Sequence, residues 1–230
     1  MRTLPVALAV VFVSCVHVDM DAPVRSYNQT VDRKNAETVR AEIRMAAGQL
    51  RVRGGAPGLL DAEFRTRMSP PRVRYDVTGT MGRLVVETEG RSQRLGNHDD
   101  NRWELALAND VAMDLDIKLG AGESWLDVSS LALRTLQVHM GAGDLTLDLR
   151  GDYKKDVDVQ VHGGVGRCRL YLPRSTGAMV DAKGGLGHIS ARGLSKQGDR
   201  WVNERYNESL HQLRAVVRGG VGQIELIGRE

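Results

Sequence analysis

Five basic residues of this 230-residue chain stand at one fixed distance from a Gly-x-Gly step, four positions before its second glycine. They are Lys118, His139, His162, Lys183 and Arg218. If the segments that carry them stack at the spacing of neighbouring strands, His139 and His162 lie about 5 Å apart, which would suit a metal pair. The pattern fixes no third ligand, so we expect no metal and no other cofactor.

The same five residues form a possible interaction surface for an anionic partner, such as phospholipid headgroups or an acidic wall polymer. The simpler interpretation is an exposed basic column whose charge is relieved by the residues two positions earlier in each segment. Those residues are Asp116, Gln137, Gln160 and Asp181.

Two carboxylates form a second candidate site. Asp127 and Asp148 each stand five residues after a second glycine, so stacking would place them side by side. Paired carboxylates cleave glycosidic bonds, and a glycan-cleaving or glycan-binding role is therefore the alternative function. In the next segment Tyr171 replaces the acid. We favour a solvated acidic face that points outward and has no catalytic residue.

The N-terminus has the features of an export signal. Ten apolar residues, Leu4 to Val13, follow Met1-Arg2 and precede Ser14-Cys15. This arrangement resembles the bacterial lipobox, with Phe12 in place of the usual leucine. We predict a signal peptide over 1–14, a lipid on Cys15 and a polar tether over 15–35. An ordinary secretory signal cut elsewhere is the alternative.

Composition excludes several classes of protein. The net charge is only +3 and aromatic residues make 4% of the chain, which argues against nucleic-acid binding. The hydrophobic fraction of 41% is too high for a disordered chain. Once Cys15 is lipidated only Cys168 remains, so no disulfide framework is possible. Cys168 falls in an apolar column and is expected to behave as a small core residue.

The Gly-x-Gly steps themselves form an internal repeat of about 21 residues. Their glycines are Gly120, Gly122, Gly141, Gly143, Gly164, Gly166, Gly185, Gly187, Gly220 and Gly222, with weaker echoes at Gly48 and Gly82. Apolar residues alternate with polar ones on both sides of each step, which predicts two short strands joined by a sharp glycine corner. Such a unit cannot enclose a core alone, whereas stacked units bury a continuous one.

The sequence therefore predicts an all-β protein with a single β-solenoid domain over residues 36–230. A leucine-rich repeat is excluded because its Leu-x-x-Leu-x-Leu pattern is absent, and the constant glycine corner disfavours a β-sandwich. An insertion at about 194–213 interrupts the rhythm and contains Trp201 and Tyr206. We interpret it as a cap on the stack, with a partner-binding protrusion as the alternative.

The repeat resembles the bacterial toastrack, or adhesin-type, β-solenoid domains. The closest stretches are WELALANDVAMDLDIKLGAGESWLDV and MGAGDLTLDL, starting at Trp103 and Met140. The resemblance implies a lipoprotein of the bacterial cell envelope with a non-enzymatic scaffold or interaction role, either adhesin-like or related to envelope stress. Expected partners are a membrane through the lipid anchor, and an envelope protein, a wall polymer or another copy of the chain.

Overall fold

The computed structural model describes residues 23–67, 69–88 and 100–228, which form thirteen β-strands. The strands are β1 Arg25–Val31, β2 Thr38–Gly54, β3 Leu60–Thr66, β4 Arg72–Thr78, β5 Met81–Glu87, β6 Arg102–Leu107, β7 Ala112–Asp127, β8 Leu133–Asp148, β9 Val157–Tyr171, β10 Gly177–Arg192, β11 Ser195–Gln197, β12 Arg200–Val202 and β13 Gln212–Ile227. Within these ranges no helix has the length and hydropathy needed to cross a bilayer.

Six long, bent strands form the body of the protein, and each of them is one rung of a stack. The rungs are parallel and in register, so residues at equivalent places in the repeat are direct neighbours. Each rung has a first arm before its glycine corner and a second arm after it. Apolar side chains from both arms meet in one buried core. The predicted β-solenoid is confirmed.

The rungs do not stack in the order of the chain. Their spatial order is β2, β7, β8, β9, β13, β10, so the last strand of the sequence lies between β9 and β10. The segment between β10 and β13 runs over the outer side of β10 before the chain returns to the gap. Strand pairing depends on which edges are free, and this cannot be derived from the repeat length alone.

Glycine is needed at the corner for two different reasons. The second glycine of each step has a positive φ, as at Gly143 with φ 125°, where an L side chain is strained. A Cβ on the first glycine would collide with the neighbouring rung, as at Gly141, where it would lie 2.4 Å from the carbonyl oxygen of Gly120. Close stacking of successive corners therefore excludes a side chain at both positions.

The two weaker echoes of the repeat have different outcomes. Gly48 has φ 134° and pairs with Gly122, so it forms the corner of the first rung. The interpretation of Gly82 as a corner is wrong. Gly82 lies near the start of the straight strand β5, next to Val39, with no positive φ.

One end of the stack is completed by separate strands instead of a bent one. β5 pairs with the first arm of β2 and β6 with its second arm. β4 then adds to β5 in antiparallel fashion, and β3 and β1 add in turn to β6. Trp103 of β6 and Phe64 of β3 are fully buried here in an edge-to-face contact, with ring centroids 5.4 Å apart.

The hairpin of β11 and β12 covers part of the other end. β12 pairs with β10 at Met179 and Val180, and Trp201 packs against the core. Asn203 fastens the hairpin: its amide nitrogen donates to the carbonyls of Pro173 and Thr176, and its amide oxygen accepts from the nitrogen of Ala178. Farther along β10, residues 183–188 are exposed.

Candidate functional site

The basic residues form one continuous row across the stack, which we call the basic ladder. Its order in space is Arg44, Lys118, His139, His162, Arg218, Lys183, and each member is in direct register with the next. Arg44 of β2 joins the five residues singled out in the sequence because its corner, Gly48, is the first of the stack. Neighbouring strands lie about 4.8 Å apart, so the ladder is about 24 Å long.

Carboxylates neutralise the first part of the ladder. Arg44 donates to Glu42 at 2.6 Å, and Lys118 lies 3.2 Å from Glu42 and 3.1 Å from Asp116. Burial alone would raise the pKa of Glu42, but the hydrogen bonds from Arg44 and Lys118 outweigh it and hold the pKa below its ordinary value. The hydrogen bond to Asp116, together with that to Glu42, raises the pKa of Lys118.

The centre of the ladder is a stacked pair of imidazoles. The rings of His139 and His162 are nearly parallel, at 9°, with centroids 5.1 Å apart. The lone pairs of an imidazole lie in its plane, so stacked rings direct them side by side and not toward a common point. In the described ranges, no three His, Cys, Asp or Glu side chains form a group that could hold a metal.

In the far part of the basic ladder, Arg218 and Lys183, the ion pairs differ from those expected from the sequence. Asp181 stands two positions before Lys183 in β10, but its carboxylate is bound by Arg218 of β13 at 2.9 Å. Lys183 has no carboxylate within 4.0 Å among the described side chains. The reason is the insertion of β13 beside β10, which brings a guanidinium within reach of Asp181. The hydrogen bond from Arg218 lowers the pKa of Asp181.

Replacing Asp181 with asparagine is expected to lower the free energy of unfolding by about 0.5–1 kcal/mol at pH 7. A carboxylate with a depressed folded pKa stabilises the protein above its unfolded pKa, about 3.9, and that contribution is lost as the pH falls through the folded value. Urea denaturation from pH 7 to pH 2 should therefore show the two proteins converging in acid. Asp158→Asn, on an exposed residue of β9, is the control, and a difference that persists at pH 2 would contradict the assignment.

The two aspartates of the alternative site accept hydrogen bonds from the backbone where their strands end. Asp127 and Asp148 are direct neighbours, as the repeat predicted, with Tyr171 next to Asp148. Asp127 accepts hydrogen bonds from the nitrogen and hydroxyl of Ser129, and Asp148 accepts from the nitrogen and guanidinium of Arg150. Both are turns in which a side chain binds the backbone two residues on, and they end the strands.

The expectation that both acids form a solvated outward face is wrong for Asp148, which is only 8% exposed. Arg150 covers its carboxylate at 2.6 Å and extends over the ring of Tyr171. A carboxylate held in this way is not open to a glycan.

Replacing Asp148 with asparagine should therefore lower the free energy of unfolding by about 1–3 kcal/mol, because a buried, charge-assisted pair with Arg150 is lost. Thermal denaturation measures the loss. Asp144→Asn is the matched control, since Asp144 is half exposed and its ion pair with Arg167 is 3.7 Å long. Equal, small effects of the two substitutions would contradict the structural role.

One group of residues was not singled out in the sequence. The residue directly before each Gly-x-Gly step projects between the two arms, at the vertex of the rung. It is Met45, Leu119 and Met140 in β2, β7 and β8, and it is Gly163, Gly219 and Gly184 in β9, β13 and β10. The three glycines line a cavity of about 130 Å³, here called the vertex cavity. The change from Met or Leu to Gly was visible in the sequence as the extra glycine of Gly-Gly-x-Gly.

Cys168 lines the same cavity from the opposite arm. It is in register with Leu145 and Ile224, in the apolar column where the repeat placed it. Burial raises the pKa of its thiol to about 12. At neutral pH the thiol is therefore protonated, which is a poor state for a nucleophile.

A family model and a crystal structure with a TM-score of 0.84 agree with this architecture. The family model described as the N-terminal domain of toast_rack, DUF2154, matches residues 20–171. A crystal structure of a candidate cell adhesion protein from Clostridium sporogenes is similar with a TM-score of 0.84 and 28% identity, over 90% of this chain and 100% of that one. A candidate adhesin from Bacteroides fragilis has a TM-score of 0.35 and 13% identity, over 88% and 96% of the two chains. No curated protein matches the sequence.

The family match covers well over half of the chain, and it includes the end strands and the first four rungs in chain order. The similarity to the Clostridium sporogenes structure extends over most of the remaining residues. This chain belongs to the toast-rack family.

Proposed function

We propose that the chain is a non-catalytic, adhesin-like interaction module of the bacterial cell envelope, anchored by a lipid on Cys15. Membership of the toast-rack family and the likeness to a candidate cell adhesion protein of Clostridium sporogenes support the adhesin-like role. The lipobox-like sequence before Cys15 supports the anchor, although Cys15 and the signal peptide over 1–14 lie outside the described residues. Residues 25–31 of the predicted tether form strand β1, which pairs with β3, so the folded domain begins before residue 36. The shorter segment between Cys15 and Arg25 would then hold the domain close to the membrane.

The basic ladder is the surface proposed for binding, and its partner is an anionic polymer of the envelope. The observation that carries this proposal is the regular row of six basic side chains in direct register over six rungs. A polymer with charges at regular intervals can contact such a row at several points at once. Multiple weak contacts on one rigid face give useful affinity without a deep pocket.

The two central histidines of the ladder and Lys183 at its far end are the members available to a partner. Arg44, Lys118 and Arg218 already have carboxylates of this chain. His139, His162 and Lys183 have none within 4.0 Å in the described part of the chain. A polyanion would therefore contact these three residues without having to displace a carboxylate of the protein.

The non-catalytic assignment is supported by the state of the paired carboxylates that suggested an enzyme. Asp127 and Asp148 are engaged in strand-ending turns, and Asp148 is buried under Arg150. A general acid and a nucleophile need access to the scissile bond.

Binding of polyphosphate at several salt concentrations tests the basic ladder. We expect the logarithm of the affinity to fall linearly with the logarithm of the salt concentration, as for other polyanion contacts. The double variant His139→Glu/His162→Glu should bind at least tenfold more weakly. Gln197→Glu/Asn207→Glu, which adds two carboxylates on the capping segment instead, should stay within twofold of wild type. Binding that is insensitive to salt, or equal in both variants, would refute the proposal.

The anchor has its own test. In bacterial cells grown with an alkyne-labelled fatty acid, the wild-type chain should carry the label and fractionate with membranes. Cys15→Ser should lose the label and leave the membrane fraction, whereas Cys168→Ser should keep both. A wild-type chain without label would show that the signal is an ordinary secretory one.

A further inference from the structure

The vertex of the stack is filled in three rungs and empty in three. Met45, Leu119 and Met140 are buried between the two arms of β2, β7 and β8. In β9, β13 and β10 the same place holds a glycine, and the vertex cavity of about 130 Å³ remains.

Space for a side chain exists at these glycines. A Cβ built on Gly163 would meet no atom within 4 Å, and one on Gly184 would meet only Ile189 and Ile224 at 3.9–4.0 Å. At Gly219 the nearest atom, at 3.2 Å, is the end of the flexible Ile224 side chain. Crowding therefore does not explain why glycine stands at Gly163 and Gly184.

At the outer tip of the same three rungs the side chain becomes larger instead of smaller. The middle residue of the Gly-x-Gly step is alanine in the filled rungs, at Ala47, Ala121 and Ala142. In the empty rungs it is Val165, Val221 and Leu186, which are in register with each other and exposed, Leu186 by 74%. These three side chains stand at the rim of the vertex cavity.

Both changes cost stability in the free protein. An unfilled cavity loses packing contacts, and large apolar side chains at the surface contact water. Three rungs nevertheless share both changes. One of them, β13, is distant from β9 in the sequence and becomes its neighbour only in the folded stack. An apolar ligand that enters the cavity and is covered by the rim would recover both losses.

The empty vertex runs continuously through three neighbouring rungs, because β13 pairs with β9 on one side and with β10 on the other. At a strand spacing of about 4.8 Å, its long direction covers about 10 Å along the stack. An engineered protein cavity of about 150 Å³ encloses a benzene-sized molecule. A space of similar volume that extends over three rungs is narrow, and it fits an extended chain better than a flat ring.

The lining shows what kind of molecule would enter. The interior is apolar, with Cys168, Ile224 and Ile189 facing the three glycines. Among the described residues no acidic side chain lines the cavity, whereas Arg167 and Arg218 do. Their carboxylate partners lie outside the lining: Asp144 and Glu225 for Arg167, and Asp181 for Arg218. Each arginine already faces a carboxylate of this chain, so an anionic head at the cavity would share the guanidinium with that partner, and the apolar interior supplies the main contact.

We infer that the vertex cavity binds the aliphatic chain of a single-chain anionic amphiphile, such as a fatty acid. The volume accommodates the end of one chain and not two, which favours this class over a two-chain membrane lipid. Arg218 belongs to both the cavity lining and the basic ladder. No other residue of the basic ladder lines the cavity, and the inference rests on the apolar interior. The inference therefore does not rest on polyanion binding by the ladder.

Calorimetric titration of the full chain with hexanoate, octanoate and decanoate, below their aggregation concentrations, tests the inference. Affinity should rise about fourfold for each added methylene until the cavity is full. Gly163→Met places in β9 the side chain that Met140 has in β8, and it should weaken decanoate binding at least tenfold. Ala142→Met adds the same side chain at the tip of β8, outside the cavity, and should stay within twofold of wild type.

A second measurement needs no substitution in the cavity. Decanoate should slow the modification of Cys168 by a thiol reagent at least tenfold, followed at that residue by mass spectrometry. Absence of carboxylate binding, equal affinity in folded Gly163→Met and wild type, or an unchanged rate at Cys168 would each overturn the inference. Binding to phosphatidylglycerol vesicles without binding of the free carboxylates would overturn it as well.

Discussion

Gly166→Ala is expected to lower the free energy of unfolding by about 4 kcal/mol or more, which is enough to unfold many single domains. Gly166 has φ 137°, where an L residue is strained, and its Cβ would lie 1.8 Å from the carbonyl oxygen of Gly143. That oxygen belongs to the backbone of the next rung and cannot rotate away. Relief of the clash requires β8 and β9 to separate at the corner, which breaks the backbone hydrogen bonds between the two strands on both arms.

Gly163→Ala in the same rung is the matched control. Gly163 has no positive φ, and a Cβ there would meet no atom within 4 Å. The substitution should be neutral or should stabilise the protein by about 0.4–1 kcal/mol, because alanine restricts the unfolded chain. Urea denaturation of both variants gives the comparison. Equal effects at the two positions would show that the corner geometry is not as described.

Trp103→Ala is expected to cost about 3–5 kcal/mol, the range for removal of a large buried aromatic side chain. Trp103 has no solvent exposure, packs edge-to-face on Phe64 and donates its indole N–H to Asn101 at 3.0 Å. The substitution leaves a cavity under β3 and β6 and removes the partner of a buried amide. It should therefore loosen the end of the stack where β1 and β3 are attached.

Trp125→Ala removes the same side chain from the outer face of β7, where it is 43% exposed. We expect a loss below about 1 kcal/mol, since most surface substitutions have small effects. Thermal and urea denaturation should rank the two variants clearly. A loss at Trp125 as large as that at Trp103 would contradict the placement of the core at this end.

Much of the stack could be predicted from the sequence because two local rules act together. Alternation assigns each residue to the inside or the outside of a strand, and a glycine at a repeated position fixes where the strand bends. These rules placed Cys168 next to Leu145, and His139 next to His162. They also predicted that Asp127 and Asp148 are neighbours.

The order of the rungs and the end of the stack could not be derived in this way. Pairing of β13 with both β9 and β10 depends on which strand edges are free, and the hairpin of β11 and β12 occupies the other side of β10. Gly82 lacks a corner because its rung is divided between β5 and β6. A local sequence pattern contains neither kind of information.

The candidate sites show the same limit. The members of the basic ladder followed from the repeat, but the partner of Asp181 changed because β13 lies beside β10. Asp148 is buried because Arg150 folds back over it, an effect of the turn after the strand. The vertex cavity depends on what faces each glycine across two arms, which becomes apparent only when the rung is folded.

Disulfide formation between chosen rungs tests the in-register stack most directly. Cysteines at His162 and Arg218, in a chain with Cys15 and Cys168 replaced by serine, lie on adjacent strands in register. Neighbouring strands are about 4.8 Å apart, within the Cα separation that a disulfide needs. We predict an efficient bond between positions 162 and 218, and none between 162 and 183, which are two rungs and about 10 Å apart. The opposite result, with 162 bonded to 183 and not to 218, would show that the rungs follow chain order and would contradict the structure.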